Sequence, residues 1–99
     1  MITRVSLKGL RLPGQVMQDV AAREKALRKS RGLTQRELAE KAGVSLGSLR
    51  RFEQTGRIAF DALVSISFAL GCSADLDGLF AAPDYASIEE VIADGRKAR

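Results

Sequence analysis

The sequence predicts an all-α fold: a five-helix domain, preceded by a short N-terminal arm and followed by a helical, basic tail. Three observations predict it. Apolar residues recur at three- and four-residue spacing along the middle of the chain, the period of a helix face. Four glycines, Gly32, Gly43, Gly56 and Gly71, stand where those periodic stretches stop, as helix C-termini favour. Thr34 with Glu37, and Ser87 with Glu90, have the spacing of capping boxes that open helices. The expected division is an arm over 1–12, a domain over 13–81, and a linker and tail over 82–99.

Pro13 suits the first turn of a helix, where its missing N–H is not needed. Val16, Val20 and Leu27 follow at helical spacing, with Met17 and Ala21 beside them, until Gly32. The Thr34–Glu37 box opens a second helix, "QRELAEKA", with Leu38, Ala39 and Ala42 as its apolar face and Gly43 as its stop. After Val44, Ser45 is placed to cap a third helix, "LGSLRRFEQT", with Leu49 and Phe52 inward and Gly56 at its end. A fourth helix spans about Phe60 to Leu70, with Leu63, Val64, Ile66 and Phe68 expected inside and Asp61 at its positive end. Ser73 is expected to cap a short fifth helix carrying Leu76, Leu79 and Phe80. "AAPDYA" reads as a linker, and Ile88, Val91 and Ile92 give a last short helix one apolar stripe. The arm segment "ITRVSL" has weak β character.

Composition narrows the function. The 99 residues suffice for one domain, and 45% apolar content argues for a folded chain. There is no histidine, and the single cysteine, Cys72, cannot form an internal disulfide. No metal-spaced cluster, P-loop or G-x-S-x-G is present, so neither an enzyme nor a metal or cofactor is expected. The first residues lack the apolar run of a signal peptide, and the stretch from Ile58 to Cys72 is too short to span a bilayer. A cytoplasmic protein with no membrane partner is expected.

Charge is unevenly placed. Residues 1–57 hold 13 Lys/Arg against 5 Asp/Glu, whereas residues 58–95 hold 7 Asp/Glu and no cation. The basic half suggests a polyanionic partner; two solvated faces of opposite sign remain the plainer reading.

The second and third helices are joined by a few residues centred on Gly43, which is the spacing of a helix-turn-helix. Ala39 is small where the two helices cross, and Val44 and Leu49 fill the space between them. An ordinary helical hairpin has the same outline without the basic charge. The segment "LTQRELAEKAGVSLGSLRRFEQTG", followed by "FDALVSISFALG", resembles the lambda-repressor-like, Xre-type DNA-binding domain. The resemblance runs from about Val16 to Phe80. It implies a lambda-repressor-like helix-turn-helix fold and a transcriptional repressor that binds double-stranded DNA.

It also implies roles for residues. Ser45, Leu46, Gly47 and Ser48, at the start of the third helix, would touch base edges. Arg51, one turn on and facing the same way, would pair with guanine. Leu46 could touch only a thymine methyl. Gly47 would let the backbone approach the groove floor. Gln35 would contact phosphate and brace the third helix. Arg36, Arg50, Arg57 and Thr34 are further phosphate contacts by this reading, each equally readable as a solvated surface residue. Glu53 and Arg28 would be a structural ion pair.

Family members bind palindromic operators as homodimers, and Leu76, Leu79 and Phe80 are the expected dimer face; the alternative is the closing edge of the protein's own core. "RRFEQTGRIAFDALVSISFALG" with "SIEEVIA" is similar to the HipB-type antitoxins. That similarity implies a HipA-like kinase toxin as partner and an operon that represses its own promoter. A prophage or host regulator without a toxin, and an adaptor of this fold that binds no DNA, are the alternatives.

Overall fold

The computed structural model describes residues 11–81. The described chain folds into helices α1 (Pro13–Ser30), α2 (Gln35–Ala42), α3 (Leu46–Thr55), α4 (Phe60–Ala69) and α5 (Ser73–Asp77), with no strand among the described residues. The β-like arm segment and the helix expected around Ser87 to Ile92 lie outside those residues.

Local chemistry sets the boundaries. Pro13 is the first residue of α1, and the Gln15 side-chain oxygen accepts from the Leu12 N–H at 2.8 Å. The box at α2 closes in both directions. Thr34 Oγ1 accepts from the Glu37 N–H at 3.0 Å, and the Glu37 carboxylate accepts from the Thr34 N–H at 2.9 Å. Ser45 Oγ accepts from the Ser48 N–H at 3.0 Å and starts α3. Gly43 and Gly56 end α2 and α3 in the left-handed region, at φ 73° and 84°. The expected starts, stops and caps of these helices are the observed ones.

Two expectations require correction. Ser73 does not cap α5: it is the first helical residue, after Cys72, which supplies no side-chain cap. Phe68 is not buried but 68% exposed. The inward face of α4 is Ile66, Ser67 and Leu70, with Leu63 packed beside them. A helix has room for one such stripe, so Phe68, one residue past Ser67, turns outward.

α1 packs on α3, α2 lies against both α3 and α4, and α5 rests on α4. Phe52, Leu38, Leu49, Ile66 and Leu70 are fully enclosed, and Ala21 and Ala39 close the gaps between helices. Each enclosed side chain of this size stabilises the fold by about 1.5–3 kcal/mol. Ala39 is 3% exposed, so α3 crosses α2 where only a methyl group intervenes. The second helix is thereby fixed against the third.

At Gly56 the turn after α3 touches α1. A β-carbon there would stand 2.9 Å from the Met17 carbonyl carbon and 3.0 Å from the Gln18 nitrogen. At Gly43 the same left-handed backbone faces open space. Gly43→Ala is therefore expected to cost about 1–2 kcal/mol, the strain of the conformation alone. Gly56→Ala should cost clearly more, because backbone must also move. Chemical denaturation of the two variants checks this; equal losses would mean that the contact with Met17 yields freely.

Candidate nucleic-acid interface

The amino ends of α2 and α3 emerge on an exposed part of the surface. Ser45, Gly47, Ser48 and Arg51 are all exposed. Gly47 and Arg51 are four residues apart and Ser48 and Arg51 three, so they share one side of α3. Arg51 makes no side-chain hydrogen bond or ion pair to a described residue, unlike Arg28. Leu46 is half-buried and packs partly against the core, so it is less exposed than the rest of this row. Its position follows from helix geometry, since it lies three residues before the enclosed Leu49 on the same face.

Gly47 has no structural reason within the described chain. Nothing lies within 4 Å of where its β-carbon would stand, and its φ is not positive. Gly47 is the second residue of α3, where a glycine costs at most the roughly 1 kcal/mol, relative to alanine, that it costs in a helix interior. The position is therefore less stable than it needs to be for folding.

At the start of α2, Thr34 and Arg36 are exposed, but the Thr34 hydroxyl is already the cap of its helix. Gln35 is half-buried and used at both ends. Its Nε2 donates to Glu53 Oε1 at 2.9 Å, and its Oε1 accepts from Arg50 Nε at 3.4 Å. One hydrogen of the amide remains for an anion. The first N–H groups of α2 also lack helical partners, which favours phosphate there. Arg50 and Arg57 are exposed at the flanks.

Behind this face sits a buried polar cluster that holds α3. Arg28 of α1 meets Glu53 of α3 through two contacts of 2.9 Å, Nε to Oε2 and Nη2 to Oε1, and its Nη1 donates to the Leu33 carbonyl at 2.8 Å. The ion pair expected between these residues is present. Burial alone would raise the Glu53 carboxyl, but hydrogen bonds from Arg28, Glu24 and Gln35 hold it at about 2.

Glu24 is the member that sequence reasoning missed. It is 8% exposed, and no donor among the described residues reaches either of its oxygens. Burial, then the neighbouring Glu53, pushes it up to about 8. It thus keeps its proton at neutral pH and donates towards Glu53. A signal existed: Glu24 falls at helical spacing between Val20, Ala21, Leu27 and Arg28, on the inward face of α1.

Leu76, Leu79 and Phe80 do not form the single helix face expected of them. α5 ends at Asp77, so only Leu76 is on it, and Leu76 is half-buried beside α1 and α4. Leu79 and Phe80 follow the helix and are 45% and 97% exposed. Cys72 is half-buried against the core as a small apolar residue. No group of three or more His, Cys, Asp or Glu that could hold a metal ion occurs among the described residues, and no described helix is long and apolar enough to cross a membrane.

Two helices crossing at a small residue, joined by a left-handed glycine, with the second helix exposed at its amino end, define a helix-turn-helix. Residues 25–76 match the model of the helix-turn-helix family, and the chain belongs to that family, in its Xre, lambda-repressor-like branch. The family is one of DNA-binding transcription regulators. No curated protein matches the chain.

Two outcomes are expected. Gly47→Ala should raise the stability of the free protein by up to about 1 kcal/mol while weakening DNA binding; denaturation and a gel shift measured on one preparation check both signs. The second concerns pH. The native protein holds the Glu24 proton up to about 8, whereas the unfolded chain releases it near 4.5. Glu24's contribution is therefore complete below pH 4.5 and is lost as pH rises through about 8. Glu53 has the opposite sign: its contribution is present above pH 4.5 and is lost as pH falls towards 2. Glu24→Gln should raise the melting temperature near pH 9 by about 5 °C, with the gain shrinking towards pH 5. Parallel melting curves across that range would show that Glu24 does not titrate there.

Proposed function

We propose that the protein is a sequence-specific repressor that sets the amino end of α3 into the major groove of double-stranded DNA. The observation that carries this is the row Ser45, Gly47, Ser48 and Arg51, exposed beside the amino end of α2. Within that row the chemistry divides. Arg51 has the reach and the fork geometry for guanine O6 and N7. The hydroxyls of Ser45 and Ser48 offer short-range polar contacts. Gly47 supplies no contact and gives close approach of the backbone instead. Leu46, partly packed against the core, keeps part of its side chain for contact with a thymine methyl. Gln35, Arg36, Arg50 and Arg57 supply phosphate contacts around the groove, with Thr34 contributing through the helix end that it caps.

One recognition helix reads only a few base pairs, so a palindromic operator bound by a homodimer is part of the proposal. Residues 58–81 carry Asp61, Asp75 and Asp77 and no cation, which favours a DNA-bound pose with α4 and α5 turned away from phosphate. The exposed Leu79 and Phe80 remain the proposed dimer contacts, with Leu76 beneath them.

The similarity of the segment from Arg50 to Gly71 to HipB-type antitoxins supports a finer proposal. In it, the protein restrains a HipA-like kinase toxin, and the pair represses its own promoter from the cytoplasm. Co-purification from the native host tests this: a kinase bound to the chain supports it, and a chain recovered with DNA alone leaves a plain prophage or host regulator.

A gel shift with the DNA upstream of its own gene tests the main reading; the absence of any shift at low salt would leave an adaptor that binds no DNA. Arg51→Ala is expected to relax discrimination at one base-pair position by about 1–3 kcal/mol. Arg36→Ala should weaken all sites alike and lower the salt dependence by about one phosphate contact. An Arg51→Ala variant that ranks all site variants as the parent does would remove Arg51 from base reading.

A further inference from the structure

Behind the proposed DNA face, Glu24 on α1 lies one turn before Arg28, whose guanidinium is paired with Glu53 on α3. All three polar contacts of Arg28 are committed elsewhere, two to Glu53 and one to the Leu33 carbonyl. None of these contacts goes to Glu24, which is 8% exposed and has no donor at either oxygen among the described residues. The charged groups that face it are Arg28 and Lys25 on its own helix and Glu53 on α3. From α2, Gln35 joins the same cluster through Glu53. From α4 and α5, Ser67 and Asp75 line, with Arg23 and Glu24, a cavity of about 280 Å³. Only a proton makes this arrangement compatible with burial. A neutral Glu24 donates towards Glu53; an ionised one sets a second buried anion against it, with no cation bonded to either of its oxygens.

The cluster also reaches the surface. Glu53 Oε1 accepts from Gln35 at 2.9 Å, and Gln35 accepts from Arg50 at 3.4 Å. Gln35 is the first residue of α2, and Arg50 is on α3. Glu24 is thus a neighbour of Glu53, and Glu53 is joined through Gln35 to two proposed phosphate contacts.

We propose that protonated Glu24 is a positioning residue for α3, and that loss of its proton loosens Glu53 from Arg28 and Gln35 and weakens the hold on DNA. The inference rests on the DNA-binding reading and extends it to regulation by pH. DNA binds the pinned arrangement, which is the protonated one, so affinity falls as pH rises through the alkaline range. By reciprocity, bound DNA raises the hold of Glu24 on its proton.

The test has two arms on the full chain at constant ionic strength. Without DNA, the Glu24 carboxyl carbon and the Gln35 side-chain amide are followed by NMR from about pH 6 to about pH 10. With DNA, affinity for the duplex upstream of its own gene is measured across the same range. The expected result is one shared alkaline midpoint for Glu24 and Gln35, and a Kd that rises at least about fivefold between pH 7 and pH 9. Glu24→Gln should remove both effects. Cys72→Ser should keep both, because Cys72 lines the same cavity as Glu24 but takes no part in the contacts among Arg28, Glu53 and Gln35. A Gln35 amide without an alkaline midpoint would overturn the proposal, as would an undiminished affinity change in Glu24→Gln. A shared midpoint in the free protein, with no duplex bound at any pH, would instead overturn the DNA-binding reading and the linkage that rests on it.

Discussion

The Arg28–Glu53 ion pair is the constraint on which the rest of the structure depends. It joins the first helix to the third, and Gln35 brings the second into the same set of hydrogen bonds. Apolar packing of Leu38, Leu49 and Phe52 holds the three helices together. A planar guanidinium with two contacts to one carboxylate permits only a narrow range of angles. The position of α3 against α2 is therefore fixed by polar geometry inside an apolar shell.

Such a cluster is an expensive way to stabilise a domain. Burying two charges costs several kcal/mol before their attraction is counted, and well-packed apolar residues would often do as well or better. Glu24 adds to the cost, because it brings a second carboxyl to a site with one cation. Net stability is therefore a poor reason for these three residues, although removing one partner of the pair would leave a buried charge uncompensated. What they supply is orientation: the exposed row on α3 is rigidly placed relative to the amino end of α2. A surface that must match two strands of a duplex at once needs that placement more than it needs another increment of stability.

Much of the fold was legible because local chemistry sets it. Thr34 with Glu37, Ser45 with Ser48, and the left-handed turns at Gly43 and Gly56 act within a few residues, and each is found where the sequence places it. Phe68 was misjudged because α4 is apolar nearly all round, so composition could not say which face turns inward. α5 was misjudged because a five-residue helix has too little periodicity to locate its end. Leu46 combines a place in the motif with a spacing to Leu49 that packs part of it against the core. Glu24 was hidden for a different reason: a buried carboxyl is recognised by the charges around it, and Glu53 is 29 residues away along the chain.

Gly47 and Glu24 share a physical logic from opposite sides of α3. Gly47 forgoes helix stability on the outward face, where no contact within the described chain calls for a glycine. Glu24 forgoes solvation on the inward side, where no hydrogen bond from a described residue reaches its oxygens. Folding alone would select alanine at the first and an uncharged residue at the second. Departures from local preference tend to concentrate where a protein works. Here they bracket the single helix whose exposed row is proposed to read DNA, and Arg28, Gln35 and Glu53 lie between them. The two unfavourable choices have a common explanation only if α3 is held for something outside the chain, with Gly47 opening the approach and Glu24 governing how firmly the helix is held.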